Sequence, residues 1–292
     1  MLIADAEYEY CAGTDGAVEV CMIIIGQILK ERYSMTVQGI SNERVPAFGY
    51  YNLDCMEGMK HFPDNYFDLA IVDPPYFSGP ERRGYYGHSE SLIGVNRLYE
   101  KMNKWQVPGE EYFTELLRVS KEQIIWGCNY YDYNFGPGRI VWDKCNGSSN
   151  FSDCEIAYCS MQRTVRIFRY MWNGMFQGRS MSEGWIQQGN KARNEKRIHP
   201  TQKPVILYEW LLQKYAKPGF KILDTHVGSA SSLIACHKMS CMYVGYEIDK
   251  KMYQLSSRRL KEETAQMSIF EWERCFNERN NISKNNRENG RP

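Results

Sequence analysis

The run Phe67-Asp68-Leu69-Ala70-Ile71-Val72 is the feature that most narrows what this chain can become. It is almost wholly apolar, follows the turn chemistry of Pro63-Asp64-Asn65, and leads into two consecutive prolines, Pro74 and Pro75. A short apolar run bounded in this way reads as a strand buried on both faces, inside a sheet with helices above and below. Strand-like runs recur at Phe48 to Asn52, Gln123 to Trp126, Arg139 to Trp142, Glu155 to Tyr158, Val165 to Tyr170, Phe220 to Leu223 and Tyr243 to Tyr246. Between them the pattern becomes helical over Met56 to His61, Glu110 to Lys121, Pro204 to Tyr215, Ser229 to His237 and Asp249 to Gln266. This alternation predicts an α/β fold with a doubly wound, mainly parallel sheet. It places the ligand site at the carboxyl ends of the strands. At 292 residues the chain is long enough to cover such a sheet on both faces.

Composition excludes several classes. The apolar stretch Val18 to Leu29 is interrupted by Glu19 and Gln27 and is shorter than the roughly 18 residues that span a bilayer. The acidic start (Asp5, Glu7, Glu9) lacks the basic flank of a secretory signal, so a cytoplasmic protein without a membrane partner is expected. Ten cysteines include no Cys-x-x-Cys pair, and His237 beside Cys236 is the only Cys–His adjacency, too little for a tetrahedral metal site. They read as reduced core cysteines, with no metal. A net charge of +1 means that any nucleic-acid surface must come from local charge segregation. Residues 1–45 read as an N-terminal extension, 46–270 as the main domain, and 271–292 as a polar, disordered tail.

Four motifs carry chemistry. Asp73-Pro74-Pro75-Tyr76 follows the buried strand; prolines cannot donate, so a carboxylate and a free carbonyl form a two-acceptor cradle for an NH₂ group, with a tyrosine ring for stacking. Its bland alternative is a rigid strand-ending turn. Asp224-Thr225-His226-Val227-Gly228-Ser229-Ala230 is a strand running through a small-residue turn into a helix, where N–H groups would favour an anionic group. Alone it is an ordinary βα turn. Glu247 ends the next strand, about twenty residues on, where an acid commonly binds ribose hydroxyls. His199-Pro200-Thr201-Gln202-Lys203-Pro204 leads into a helix.

In this order, the four motifs resemble the amino-methyltransferases of DNA in their permuted, β-group arrangement, over about Phe48 to Leu260. The resemblance implies a Rossmann-like S-adenosylmethionine-dependent methyltransferase with a catalytic half at 46–170, an inserted target-recognition segment at 171–198 and a cofactor half at 199–270. By resemblance, Asp73, Pro74, Pro75 and Tyr76 are catalytic. Asp54, in Asn52-Leu53-Asp54-Cys55, holds the cofactor adenine; Asp224, Gly228 and Ser229 hold its methionine part, Glu247 its ribose, and Thr201 lies near its carboxylate. Trp126 to Tyr130 and Ile140 to Lys144 look like family strands. Thr225-His226 stand where the family commonly has Pro-Phe, and Ala230 where it has a second glycine. Alanine is tolerated there if φ is negative. His226 reads as a hydrogen-bonded turn histidine rather than a catalytic one.

The expected reaction is methylation of adenine N6 in double-stranded DNA, on a base flipped into the site against Tyr76. The loop Phe77 to Pro108 would serve as a lid. Lys191, Arg193, Lys196 and Arg197 fall within seven positions opposed only by Glu195, with Arg163, Arg166, Arg169 and Arg179 upstream. A charge run is commonly a solvated face. Here it lies where the resemblance puts target recognition, so it is read as DNA-binding, with Arg82 and Arg83 as a second candidate. Competing readings are cytosine N4 as target, a DNA-binding protein that has lost catalysis, and a nicotinamide-dependent oxidoreductase. Homodimerisation is left open.

Overall fold

The structure is a computed structural model that describes residues 45–76, 106–146, 152–173, 176–180, 183, 194–199 and 201–265. The described residues from Phe48 onward form one compact unit, and of residues 1–47 only 45–47 are described.

The predicted buried strand is β2 (Leu69–Val72), flanked by β9 (Lys221–Asp224) and β3 (Gln123–Trp126), both parallel to it. Its pleat sends alternate side chains to opposite cores. Leu69 and Ile71 join Ile124, Ile222 and the apolar faces of α3 (Val205–Tyr215) and α4 (Ser231–Lys238). Ala70 and Val72 join Ile125, Met59 of α1 (Cys55–Met59) and Phe113 and Leu116 of α2 (Glu110–Val119). Both faces are covered, as the apolar run requires.

Eight strands form the sheet in the order β1-β10-β9-β2-β3-β5-β4-β6, with β1 (Gly49–Tyr51), β4 (Arg139–Asp143), β5 (Cys154–Cys159), β6 (Val165–Arg169) and β10 (Met242–Tyr246) completing it. Only β5 runs against its neighbours. The unit β9-α4-β10 steps toward one edge and β2-α2-β3 toward the other. The order therefore reverses between β9 and β2, and a crevice opens at their carboxyl ends. Asp68 staples that junction at its base: its N–H donates to the Lys221 carbonyl (2.9 Å) and its Oδ2 accepts from the Lys221 N–H (3.0 Å). Residues 250–265 form a last helix, α5.

Two local expectations change. The run Trp126 to Tyr130 is not one strand: β3 stops at Trp126 because Gly127 adopts φ +71° and turns the chain. The segment after residue 170 carries an antiparallel ribbon, β7 (Met171–Asn173) with β8 (Phe176–Gly178), that no alternation announced. Buried Trp172 ties it to the core. The N-terminal apolar stretch, nearly all of the expected lid and the polar tail lie outside the described residues.

Candidate active site

Pairing of β2 with β9 brings Asp73-Pro74-Pro75-Tyr76 and the turn after Asp224 to one cleft. The cleft opens to solvent, and its lining joins Asp73 to Tyr76 with His226 to Ser229 and Glu247.

One wall is a chain of alternating charges. Asp73 Oδ2 lies 2.5 Å from Lys203 Nζ, which lies 2.9 Å from Glu155 Oε2. Glu155 Oε1 in turn lies 2.6 Å from Lys144 Nζ. The Lys203 side chain is only 2% exposed. Burial works against its charge, but Asp73 and Glu155 hold its ammonium above the ordinary lysine range. Burial pushes the Glu155 carboxyl up, yet Lys203 and Lys144 outweigh it and bring it down to about 2. For Asp73 burial outweighs Lys203, and its carboxyl rises. Its second oxygen, Oδ1, is buried and has no hydrogen-bond partner among the described residues. A buried acceptor left open is costly unless a ligand fills it.

The Pro74 carbonyl beside it accepts from the Tyr131 hydroxyl at 2.8 Å and keeps a second lone pair. Tyr76 donates to Glu155 Oε2 at 3.2 Å, and its ring stacks on Tyr130 with centroids 5.0 Å apart. The ring needs Gly127 beside it: a Cβ there would fall 2.3 Å from the Tyr76 ring.

The opposite wall is the turn, and its N–H groups are mostly engaged. That of His226 goes to Asp224 Oδ1 (3.0 Å), that of Val227 to the Tyr246 carbonyl (3.0 Å), that of Gly228 to Glu247 Oε2 (3.0 Å) and that of Ala230 to the Val227 carbonyl (3.1 Å). Among these five residues only Ser229 keeps an N–H without a partner among the described residues. The expected anion-binding turn is thus a turn folded onto two carboxylates. Ala230 sits at φ +65°, in the left-handed region, so the condition under which alanine would be tolerated without strain is not met.

Thr201, Gly228, Ser229 and Glu247 line the cleft with Asp73 to Tyr76. Asp224 lies behind the turn, accepting from the Ser232 hydroxyl as well as from His226. Asp54 caps α1, accepting from the Met56 N–H at 2.8 Å, and does not line the cleft. Thr201 bonds His199 Nδ1 through its hydroxyl at 3.0 Å. Lys196 is exposed. Arg197 donates to the Trp172 carbonyl at 2.7 Å with its guanidinium 4.2 Å from the Trp172 ring centre. Glu195 does not oppose these cations: it pairs with Arg259 at 2.6 Å and accepts the Val205 N–H that opens α3. Arg82, Arg83, Lys191 and Arg193 lie outside the described residues.

Sequence reasoning missed Lys203, Glu155, Tyr131 and Arg259. Arg259 reaches from α5 to the Ser229 carbonyl (2.6 Å) and Ser231 Oγ (3.0 Å), bracing the turn. Glu155 had a signal, as the one charge in the strand Cys-Glu-Ile-Ala-Tyr-Cys. Lys203 stood inside a noted motif, but its partners are distant in sequence.

A family model described as DNA methylase (N6_N4_Mtase) matches residues 67–258. The chain is 21% identical to the type II methyltransferase M.HpaI of Haemophilus parainfluenzae over 72% of its length and 73% of that protein. With M.HinfI of Haemophilus influenzae the identity is 25%, over 72% of this chain and 67% of the relative. Among solved structures, an M1.HpyAVI–SAM complex aligns at 18% identity and a TM-score of 0.42, covering 72% of this chain and 98% of that one. The family match spans both walls of the cleft and most of the sheet that holds them, and the chain belongs to the N6_N4_Mtase family of DNA methylases.

Proposed function

We propose that the chain transfers the methyl group of S-adenosylmethionine to the N6 amino group of adenine in double-stranded DNA, on a base turned out of the helix. The observation that carries this reading is the open, buried Oδ1 of Asp73 beside the Pro74 carbonyl. Together they are two acceptors for the two N–H bonds of one exocyclic amine.

Such an amine is a poor nucleophile because its lone pair is delocalised into the ring. Donating to Asp73 and Pro74 holds the nitrogen toward tetrahedral geometry and frees that lone pair. When bound, S-adenosylmethionine supplies an electrophilic methyl whose leaving sulfur becomes neutral and needs no acid. As the new N–C bond forms, positive charge grows on nitrogen, and Asp73 stabilises it. The raised Asp73 carboxyl suits it to take the surplus proton and pass it to water. Lys203 and Tyr131 hold the two acceptors in place. Tyr76, backed by Tyr130 and tethered to Glu155, offers its ring to the base.

The cleft fits a cationic cofactor. Asp224 and Glu247 face or support the turn, and most of its N–H groups are already engaged. A sulfonium with an ammonium group suits such surroundings, whereas the diphosphate of a nicotinamide dinucleotide would meet carboxylates with few donors. Glu247 retains lone pairs for ribose hydroxyls. Phosphate contacts fall to Lys196 and its neighbours at 191–197, with Arg197 held at their base by Trp172.

The test is tritiated methyl transfer to unmethylated DNA with the product nucleosides separated. Label is expected in N6-methyladenine, lowered by about 10²–10³-fold or more in Asp73→Ala. Label in N4-methylcytosine would reassign the base. No label in any nucleoside, despite cofactor binding, would overturn the reading.

A further inference from the structure

The cleft holds one imidazole whose protonation pattern can be worked out by counting donors. Tyr112, in the first turn of α2, places its hydroxyl 2.6 Å from Thr225 Oγ1, and Thr225 Oγ1 lies 2.9 Å from His226 Nδ1. Tyr112 and Thr225 are both buried, so each hydroxyl hydrogen needs an acceptor. Neither hydroxyl has another partner among the described residues. If His226 Nδ1 carried the proton, either Thr225 or Tyr112 would be left with a buried O–H and nothing to receive it. Only one arrangement satisfies all three groups: Tyr112 donates to Thr225, Thr225 donates to Nδ1, and the ring proton sits on Nε2. Burial also keeps this ring neutral, pushing it down to about 4. His226 lines the cleft, and its Nε2 has no partner among the described residues.

We infer that the Tyr112–Thr225 chain locks His226 in its Nε2–H form, so that the ring presents a neutral hydrogen-bond donor to an acceptor atom of the cofactor. This rests on S-adenosylmethionine occupying the cleft, as proposed above. A phenylalanine at this position could fill the same space but could not donate. The donor adds polar recognition on a wall where most backbone N–H groups are already engaged.

Two measurements on the full chain test it. In a long-range ¹H–¹⁵N spectrum of histidine-labelled protein, the resonances lost in His226→Phe should report a protonated Nε2 and bare Nδ1. Thr225→Val should mix or invert that pattern. S-adenosylmethionine titration followed by calorimetry should show affinity about 5-fold weaker in His226→Phe. His226→Gln, whose amide nitrogen can reach the Nε2 position, should recover most of the loss, and His226→Asn should not. An Nδ1–H ring would overturn the inference, as would equal affinity in all four proteins. Failure of the unaltered chain to bind would overturn both this inference and the cofactor placement. Tight binding unaffected by position 226 would overturn this inference alone.

Discussion

Lys203 shows how one side chain can set the chemistry of another. Burial raises Asp73, and the ammonium 2.5 Å away is the chief opposing influence. Lys203→Met should therefore push Asp73 higher and move the acid limb of kcat/KM up by about 1–3 pH units. A merely structural role would lower activity without moving that limb. Ala230 makes a different point. An L-residue in the left-handed region costs roughly 1–2 kcal/mol, and glycine returns about 0.4–1 kcal/mol of that to the unfolded chain. Glycine also forfeits the buried Ala230 methyl, worth about 0.8 kcal/mol, so Ala230→Gly should shift the unfolding free energy by less than about 1 kcal/mol, read as a nearly unchanged urea midpoint at unchanged slope. Alanine carries no mark of a positive φ, which is why the strain could not be read before the turn was built.

Elements were more legible than their partners. Short apolar runs and helical periodicity located every strand of the main sheet and its helices; β2, buried on both faces, gave the plainest such run. The ribbon β7–β8 escaped because Met171-Trp172-Asn173 has no alternation and leans on one buried indole. Arg259 escaped for another reason: it looked like one more cation on the charged helix α5. In fact it joins α5 to Glu195 and to the carbonyl of Ser229. Arg259→Met should strand Glu195 and cost about 3–5 kcal/mol of stability, much of it recovered by adding Glu195→Gln. Cofactor affinity should fall in both variants, since neither braces the turn.

At the scale of the molecule, two buried carboxylates pull the pH dependence of stability in opposite senses. Glu155 stands at about 2, below its unfolded value, so its contribution is present above about pH 4.3 and lost as the pH falls toward 2. Burial raises Asp224 to about 7, so its contribution is present below about pH 3.9 and lost as the pH rises through 7. The ligand-free protein should lose unfolding free energy between about pH 4 and 7, and Asp224→Asn should flatten that decline. Equilibrium denaturation across the range checks it. The site was readable as a set of motifs, and what joins them was not: β2 and β9 meet through Asp68 and Lys221, 153 positions apart. That long closure has a kinetic meaning. Most local structure can form on either side of it first, yet neither half holds a working cleft until this long loop has closed. Catalytic competence therefore arrives late in folding, and a chain still being made is kept from binding its substrates.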